Sequence, residues 1–133
     1  MEIVGLELAD EQVAVFDSIP QATQIALLKH ALAHRDEYVD QRPAAIAAWL
    51  AGDLDRLAQL NASLGVRYPD MREHFATLTK AVIENRNAQF AYRLFLPLRH
   101  GRTFVAVGAL HLYGRSGLLQ LLREQGYRIT PMR

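Results

Sequence analysis

The stretch that decides the fold is RTFVAVGALHLYGRSGLLQLLREQGYRIT, residues 102–130. Its first eleven residues, 102–112, form a nearly continuous apolar run rich in β-branched residues, which is typical of a strand covered on both faces. Residues 116–126 then resemble a short helix that ends at Gly126, and residues 127–130 resemble a closing strand. A strand, a helix and a second strand in sequence predict a βαβ unit with parallel strands and a right-handed crossover.

The amino terminus predicts another strand, because apolar side chains alternate in residues 3–8 and place Glu7 near the carboxyl end. Between these strands, apolar residues recur at helical spacing and predict a central block of several helices. The apolar stripes are Ile25, Leu28 and Leu32; Ile46, Trp49 and Leu50; and Leu54, Leu57 and Leu60. We therefore expect a helix-rich α/β fold, α+β by content, with a small, mostly parallel sheet and a carboxyl-terminal βαβ unit.

A further helix is predicted to begin at Asp70, with Glu73 three residues later as the partner of this N-cap residue. Its apolar stripe runs through Met71, Phe75, Leu78 and Val82, and the next position of the stripe is Arg86. A cation on an apolar stripe needs a partner, such as the carboxylate of Glu7 or Glu84 or a bound anion. The alternative is that the arginine stem packs on the stripe while its head reaches water.

Composition limits the classes of function. The 133 residues include 15 basic and 14 acidic side chains and have a net charge of +1, which gives no electrostatic reason to expect a nucleic acid partner. The chain has no cysteine, so disulfides and thiolate chemistry are excluded. No apolar run is long enough to span a membrane, and no segment resembles a signal peptide. We expect one domain over residues 1–133, and the strand pattern so close to Met1 suggests a piece of a longer protein.

His111 is the main candidate for chemistry, because ligands of open α/β sheets bind beyond the carboxyl ends of the strands. Glu7 occupies the same position on its predicted strand, so a carboxylate and an imidazole would meet if the two strands are neighbours. Gly108 would allow close approach of a ligand or backbone, since glycine has no side chain. The alternative is a structural histidine at a strand end, with Gly108 serving only for packing.

A second pair of histidines, His30 and His34, lies one helical turn apart, which is the spacing of two zinc ligands in metalloprotease helices. No glutamate follows the first of them. The charged residues around the pair, Lys29 and residues 35–37, indicate a face exposed to solvent.

The order of several segments resembles the TraB/GumN family, which belongs to the same broad group as the animal Tiki proteins. The segments are VGLEL, EQVAVFDSIP, AWLAGDLDRLAQL, NRNAQFA and TFVAVGALHLYGRSGLLQLLREQGYRI. The similarity covers essentially all of residues 1–133, and it corresponds to the second, carboxyl-terminal half of the family domain. The most specific element is a strand ending in G-x-x-H, here Gly108 to His111.

The resemblance implies a metal-dependent hydrolase of peptidase type, because Tiki proteins are metal-dependent proteases whose G-x-x-H histidines and acidic residues are implicated in the site. It makes Glu7, Arg86 and His111 the catalytic candidates, and it places Asn87 and Gly108 next to them as residues that position the catalytic groups. Glu7 and His111 would hold a divalent metal such as manganese, cobalt or zinc. The resemblance also favours a periplasmic or envelope-associated location.

Two departures from the family pattern bear on activity. The family has two G-x-x-H motifs and this chain has one, and Asn85 stands where a glutamate is common. A catalytic metal normally takes three protein ligands. The expectation is therefore that the missing amino-terminal half or a second copy completes the site, with a peptide or a small molecule as substrate. The alternative is a non-catalytic, truncated family member that binds or interacts at the envelope or with polysaccharide.

Overall fold

The computed structural model describes residues 3–132, and within that range the chain is built from helices joined by short turns and irregular segments. Each α-helix is numbered in chain order. They are α1 Ala9–Asp17, α2 Gln21–Ala33, α3 Arg35–Leu50, α4 Leu54–Arg67, α5 Arg72–Thr79, α6 Asn85–His100 and α7 Leu118–Glu124. Two 3₁₀ turns, Pro69–Met71 and Ala109–Leu112, and one π-helical turn, Lys80–Glu84, complete the regular structure.

The junction between α3 and α4 forms as its sequence predicts. Gly52 adopts a φ of 68°, a conformation that favours glycine, and Asp53 then caps α4. The Asp53 carboxylate accepts a hydrogen bond of 2.9 Å from the backbone N–H of Arg56. This bond satisfies one of the free donors at the start of the helix.

The helix expected to begin at Asp70 starts differently. Asp70 lies inside the 3₁₀ turn Pro69–Met71, and α5 begins at Arg72 with no side-chain cap. The helical path then continues through the π-turn Lys80–Glu84 directly into α6. A π-turn adds one residue to a helix and is frequently found at functional sites. Here it immediately precedes the residues of α6 that carry the candidate chemistry.

The hydrophobic core joins α6 to α7. Phe90, Ala91 and Leu94 of α6 are buried against Leu118 of α7. Partly buried side chains from α6, from α7 and from three other regions complete the cluster; they are Leu6, Leu98, Val105, Val107, Leu112 and Leu121. Segments from both ends of the chain are thereby fixed to α6.

The predicted α/β fold with a parallel sheet is wrong for this structure, because residues 3–132 contain no strand. Residues 3–8, 102–108 and 127–130, which carry the strand patterns, are irregular or bent. Alternating side chains favour a strand only when another strand supplies hydrogen bonds, whereas Leu6, Val105 and Val107 of these segments pack against the core between α6 and α7. The carboxyl-terminal βαβ unit is therefore replaced by a 3₁₀ turn followed by α7.

The helical block is present as predicted, but two of its apolar stripes are not buried. Ile25, Leu28 and Leu32 on α2 are exposed, as are Ile46, Trp49 and Leu50 on α3. Instead, α2 buries Thr23 and His30. An apolar stripe indicates which face of a helix is favourable to bury, but it does not specify which other element packs against that face.

A first prediction concerns Gly117, which precedes α7. A Cβ atom at this position would lie 2.3 Å from the carbonyl oxygen of Tyr113, so the backbone of the preceding turn would have to shift. We expect Gly117→Ala to destabilise the protein by about 1–3 kcal/mol in urea denaturation. Gly65→Ala is the matched control, because its new Cβ meets the Arg72 side chain at an ordinary 3.7 Å. The control should be stabilised slightly, and equal stability of both variants would contradict the argument.

Candidate functional site

The guanidinium of Arg86 pairs with the carboxylate of Glu7, across 79 positions of sequence. The Arg86 Nε donates to one Glu7 oxygen at 3.0 Å, and Nη2 donates to the other oxygen. Both side chains are largely buried. The pairing is bidentate, which is the strongest geometry for an arginine and a carboxylate.

Arg86 is held at two further points of α6 and the turn before it. Its Nη1 donates to the carbonyl oxygen of Val82 at 2.9 Å, and its guanidinium carbon lies 5.3 Å from the centre of the Phe90 ring. A cation over an aromatic face is attracted by the negative face of the ring. Arg86 thus occupies the apolar stripe without leaving an unpaired buried charge, and Glu84 makes none of these contacts.

His111 is fixed by Asn87, the residue after Arg86. Its Nδ1 lies 2.7 Å from Oδ1 of Asn87, while Nδ2 of Asn87 donates to the carbonyl oxygen of Ser116 at 2.8 Å. Since the amide oxygen can only accept, Nδ1 of His111 carries the proton and Nε2 keeps the lone pair. Asn87 is 0% exposed and His111 is 7% exposed, so both bonds lie in the interior.

Burial lowers the pKa of His111 from its ordinary value, and the positive charge of Arg86 lowers it further. The negative charge of Glu7 acts in the opposite direction, with a smaller effect. The imidazole is therefore neutral at pH 7. Nε2 makes no hydrogen bond with the part of the chain that the structure describes, and it is not a fully buried atom. A neutral ring with an open Nε2 can accept a proton or bind a ligand.

The position of Gly108 differs from the prediction. His111 does not end a strand; it lies in the 3₁₀ turn Ala109–Leu112, where its backbone N–H donates to the Gly108 carbonyl at 2.9 Å. A Cβ at position 108 would lie 3.5 Å from Cδ2 of His111, which is ordinary contact. The structure thus gives no steric reason for glycine at this position.

A second ion pair next to the first was missed in the sequence. Arg93 donates to both carboxylate oxygens of Glu11, at 2.7 and 2.6 Å, and to the carbonyl oxygen of Leu6 at 2.8 Å. The hydrogen bonds from Arg93 and from the backbone N–H of Leu8 hold the pKa of Glu11 at about 2. Arg93 thus fixes the backbone beside Glu7. The available signal was the spacing, because Arg93 follows Arg86 by two helical turns and Glu11 follows Glu7 by four residues.

His30, expected on a solvated face, is instead 7% exposed and lies within a cluster of rings. Its Nδ1 lies 3.1 Å from the hydroxyl of Tyr38, and its buried Nε2 has no hydrogen-bond partner among residues 3–132. The neighbouring rings are His34, Tyr38, Tyr68 and Phe75. His34 contacts Glu37, whose carboxylate also accepts from the hydroxyl of Tyr68. Hydrogen bonding and aromatic packing hold both histidine rings in position.

Metal ligation has limited support in the described range. No group of three or more histidine, cysteine, aspartate or glutamate side chains comes together within residues 3–132 in a way that could hold a metal ion. Glu7 and His111 supply one carboxylate and one imidazole on either side of the Arg86–Asn87 pair. This arrangement is a buried centre of hydrogen bonds and one ion pair, which we call the Glu7–His111 centre, consisting of Glu7, Arg86, Asn87 and His111.

The fold and the centre define a helical protein in which one helix, α6, joins a carboxylate near the amino terminus to a histidine near the carboxyl terminus. The model of the TraB/PrgY/gumN family matches residues 1–131, and the chain therefore belongs to that family. Comparison with curated proteins gave no match, and comparison with solved structures gave none either. A membrane-crossing helix would have to be long and apolar, and residues 3–132 contain none.

The second prediction tests the amide of Asn87. Asn87→Ala leaves the Ser116 carbonyl and Nδ1 of His111 without partners in the interior, which should cost roughly 2–4 kcal/mol in the free energy of unfolding. Asn85→Ala, two residues earlier on the exposed face of α6, is the control and should change stability by less than about 0.5 kcal/mol. Comparable losses in the two variants would show that the buried bonds do not matter.

The third prediction concerns pH. Burial lowers the pKa of His30, and the nearby His34 lowers it further. The folded protein therefore binds this proton less readily than the unfolded chain, so stability is full above pH 6.5 and falls as the pH decreases through the lowered folded pKa. Urea denaturation from pH 7.5 to pH 5 should show this fall, and it should be smaller in His30→Phe. An unchanged slope in the variant would assign the pH dependence to other groups.

Proposed function

We propose that this chain carries a hydrolase-type site of the TraB/PrgY/gumN family, centred on His111. The observation that carries the proposal is the 2.7 Å bond between Nδ1 of His111 and Oδ1 of Asn87. This bond fixes the orientation and the tautomer of the ring and leaves Nε2 available for a proton or a ligand. A histidine anchored through one nitrogen and open at the other is the usual arrangement of a catalytic base or a metal ligand.

The other residues of the centre have complementary roles in this proposal. His111 accepts a proton at Nε2 from a water molecule or from a substrate group. Arg86 supplies a fixed positive charge beside the ring, where negative charge develops on a substrate oxygen. Glu7 balances that charge and holds the guanidinium in position, and Asn87 orients His111. The resemblance to Tiki proteins suggests a peptide or a related bond as the substrate.

The donors present in this chain do not fit a complete catalytic metal site. Such a site takes about three protein ligands, and the Glu7–His111 centre offers one nitrogen and one carboxylate whose oxygens are both bonded to Arg86. We therefore assign no step to a metal. Binding of manganese, cobalt or zinc by Glu7 and His111 would need further ligands from outside the described residues.

A second candidate function is binding without catalysis, in an envelope-associated or polysaccharide-associated role. The observation that favours it is the bidentate pairing of Glu7, because both of its oxygens accept hydrogen bonds from Arg86, which makes this carboxylate a weaker base toward water. In that case the centre would stabilise the fold and present a surface, and the isolated chain would show no turnover.

The test of the hydrolase proposal is turnover of peptide and ester substrates by the purified chain from pH 5 to pH 9, with and without added manganese, cobalt or zinc. His111→Gln should lower kcat/KM by at least about 100-fold, the usual contribution of a general base. His100→Gln, at the exposed end of α6, should leave it unchanged. The rate should fall as acid protonates His111, below pH 6.5, because burial lowers the pKa of this ring.

Absence of turnover under every one of these conditions would reject the hydrolase proposal for this chain and favour the binding role. Thermal unfolding in the presence of each metal distinguishes metal binding from catalytic turnover. A rise in Tm that is lost in His111→Ala would show metal binding whether or not the chain turns over a substrate.

A further inference from the structure

The chain exposes more surface than its mass predicts. Its solvent-accessible surface is 10076 Å². A folded monomer of 15.0 kDa is expected to expose about 7,000 Å², from the scaling of surface with mass. The excess is about 3,000 Å², which is more than the roughly 1,000–2,500 Å² that one subunit buries in most obligate interfaces. Many exposed side chains are large and apolar, and exposed apolar surface of this kind is typical of interaction sites.

One part of this surface has unpaired backbone groups as well as apolar side chains. In residues 102–107, no backbone N–H or C=O has a hydrogen-bond partner among the described residues. Gly101 and Arg102 both have positive φ, 75° and 52°, and turn the chain back along α6. We call residues 102–107 the open edge. Such a row of donors and acceptors is a template for pairing with another strand.

Side chains of residues 104–107 alternate between solvent and core, as they would in a strand with one covered face. Val105 and Val107 pack on the core, whereas Phe104 and Ala106 face solvent. Phe104 is 90% exposed, so it contributes almost nothing to the packing of the isolated chain. The backbone N–H and C=O groups along the edge of the segment are therefore unpaired within the described chain, and the Phe104 ring lies on its solvent-exposed face.

We propose that the open edge pairs, antiparallel, with the open edge of a second copy of this chain. A two-fold axis at Val105 would place Val105 opposite its own counterpart and Phe104 opposite Ala106. Residues directly opposite in an antiparallel pair point to the same face. In this register Val105 of each copy still packs on its own core, and Phe104 of each copy lies on the solvent-exposed face. It also places a large side chain beside a small one.

Charge is compatible with self-association. In this register Arg102 lies opposite Gly108 of the second copy, so the two Arg102 side chains are at opposite ends of the paired segment. The net charge of +1 gives little repulsion between whole chains. Symmetric pairing of one patch with itself is also the commonest arrangement of soluble oligomers.

Other exposed apolar surfaces offer weaker grounds for an interface. Ile46, Trp49 and Leu50 on α3 expose side chains only, since the backbone of the helix is already bonded internally. The open edge presents both apolar contact and unpaired backbone groups. The α3 face therefore supplies a matched control for the experiment.

The experiment measures mass by analytical ultracentrifugation of the purified chain, from about 1 to 100 μM, where protein–protein complexes of ordinary affinity assemble. Twice the chain mass of 15.0 kDa is 30 kDa, and we expect that value for the wild type. Phe104→Lys places a charge on the edge and should weaken the dimer by roughly tenfold or more. Leu50→Lys, on the exposed α3 face, should remain a dimer.

The register has its own test, because the natural chain has no cysteine. Val105→Cys should oxidise to a covalent dimer, since Cα atoms of directly opposite antiparallel residues lie within the range that a disulfide spans. Leu50→Cys should cross-link much more slowly. Hydrogen exchange of every second amide in residues 103–107 should be slow in the wild type and fast in Phe104→Lys, because alternate residues of an antiparallel pair bond to the partner strand.

A wild-type monomer across this concentration range would overturn the proposal, as would a Phe104→Lys variant as dimeric as the wild type. Equal cross-linking rates for the two cysteine variants would overturn the register. A dimer broken by Leu50→Lys and retained by Phe104→Lys would assign the interface to α3 instead. Circular dichroism of Phe104→Lys should match the wild type, because the replaced ring packs on little.

Discussion

The buried amide of Asn87 is the constraint on which the rest of the candidate site depends. An amide with no access to water must have its oxygen and its nitrogen bonded within the protein. The oxygen is satisfied by Nδ1 of His111 and the nitrogen by the carbonyl of Ser116, so two points of the carboxyl-terminal segment are tied to one residue of α6. The ring of His111 therefore has one orientation, and its chemistry is confined to Nε2.

Helix α6 connects the amino-terminal and carboxyl-terminal segments, because each of them contacts a different face of this helix. Arg86 and Arg93 hold the amino-terminal residues through Glu7, Glu11 and the Leu6 carbonyl. The apolar face, with Phe90 and Leu94, covers the segment that contains His111. The two ends of the chain meet on a helix, where a sheet was expected. The π-turn before α6 supplies the Val82 carbonyl that Arg86 also binds.

The sequence predicted the local interactions of the site better than its architecture. Arg86 on an apolar stripe indicated either a counter-charge, from Glu7, Glu84 or a bound anion, or a head that reaches water, and the structure shows the pairing with Glu7. The importance of Asn87 could be inferred only from the family resemblance, because an asparagine beside a charged residue has no distinctive pattern. The sheet was wrong because alternation in residues 102–107 describes the side chains of one segment. Pairing depends on a second segment that local sequence cannot identify.

The exposed stripes on α2 and α3 and the open edge have the same physical origin. Each sequence pattern specifies a face whose burial is favourable, and the described chain leaves those faces in water. The exposure of residues 102–107 concerns the Glu7–His111 centre, because this segment leads directly into the turn that carries His111. Segments with few buried contacts and unpaired backbone open at low free-energy cost. In the proposed dimer, pairing would order the backbone before Gly108 and would thereby link assembly to the turn that carries His111.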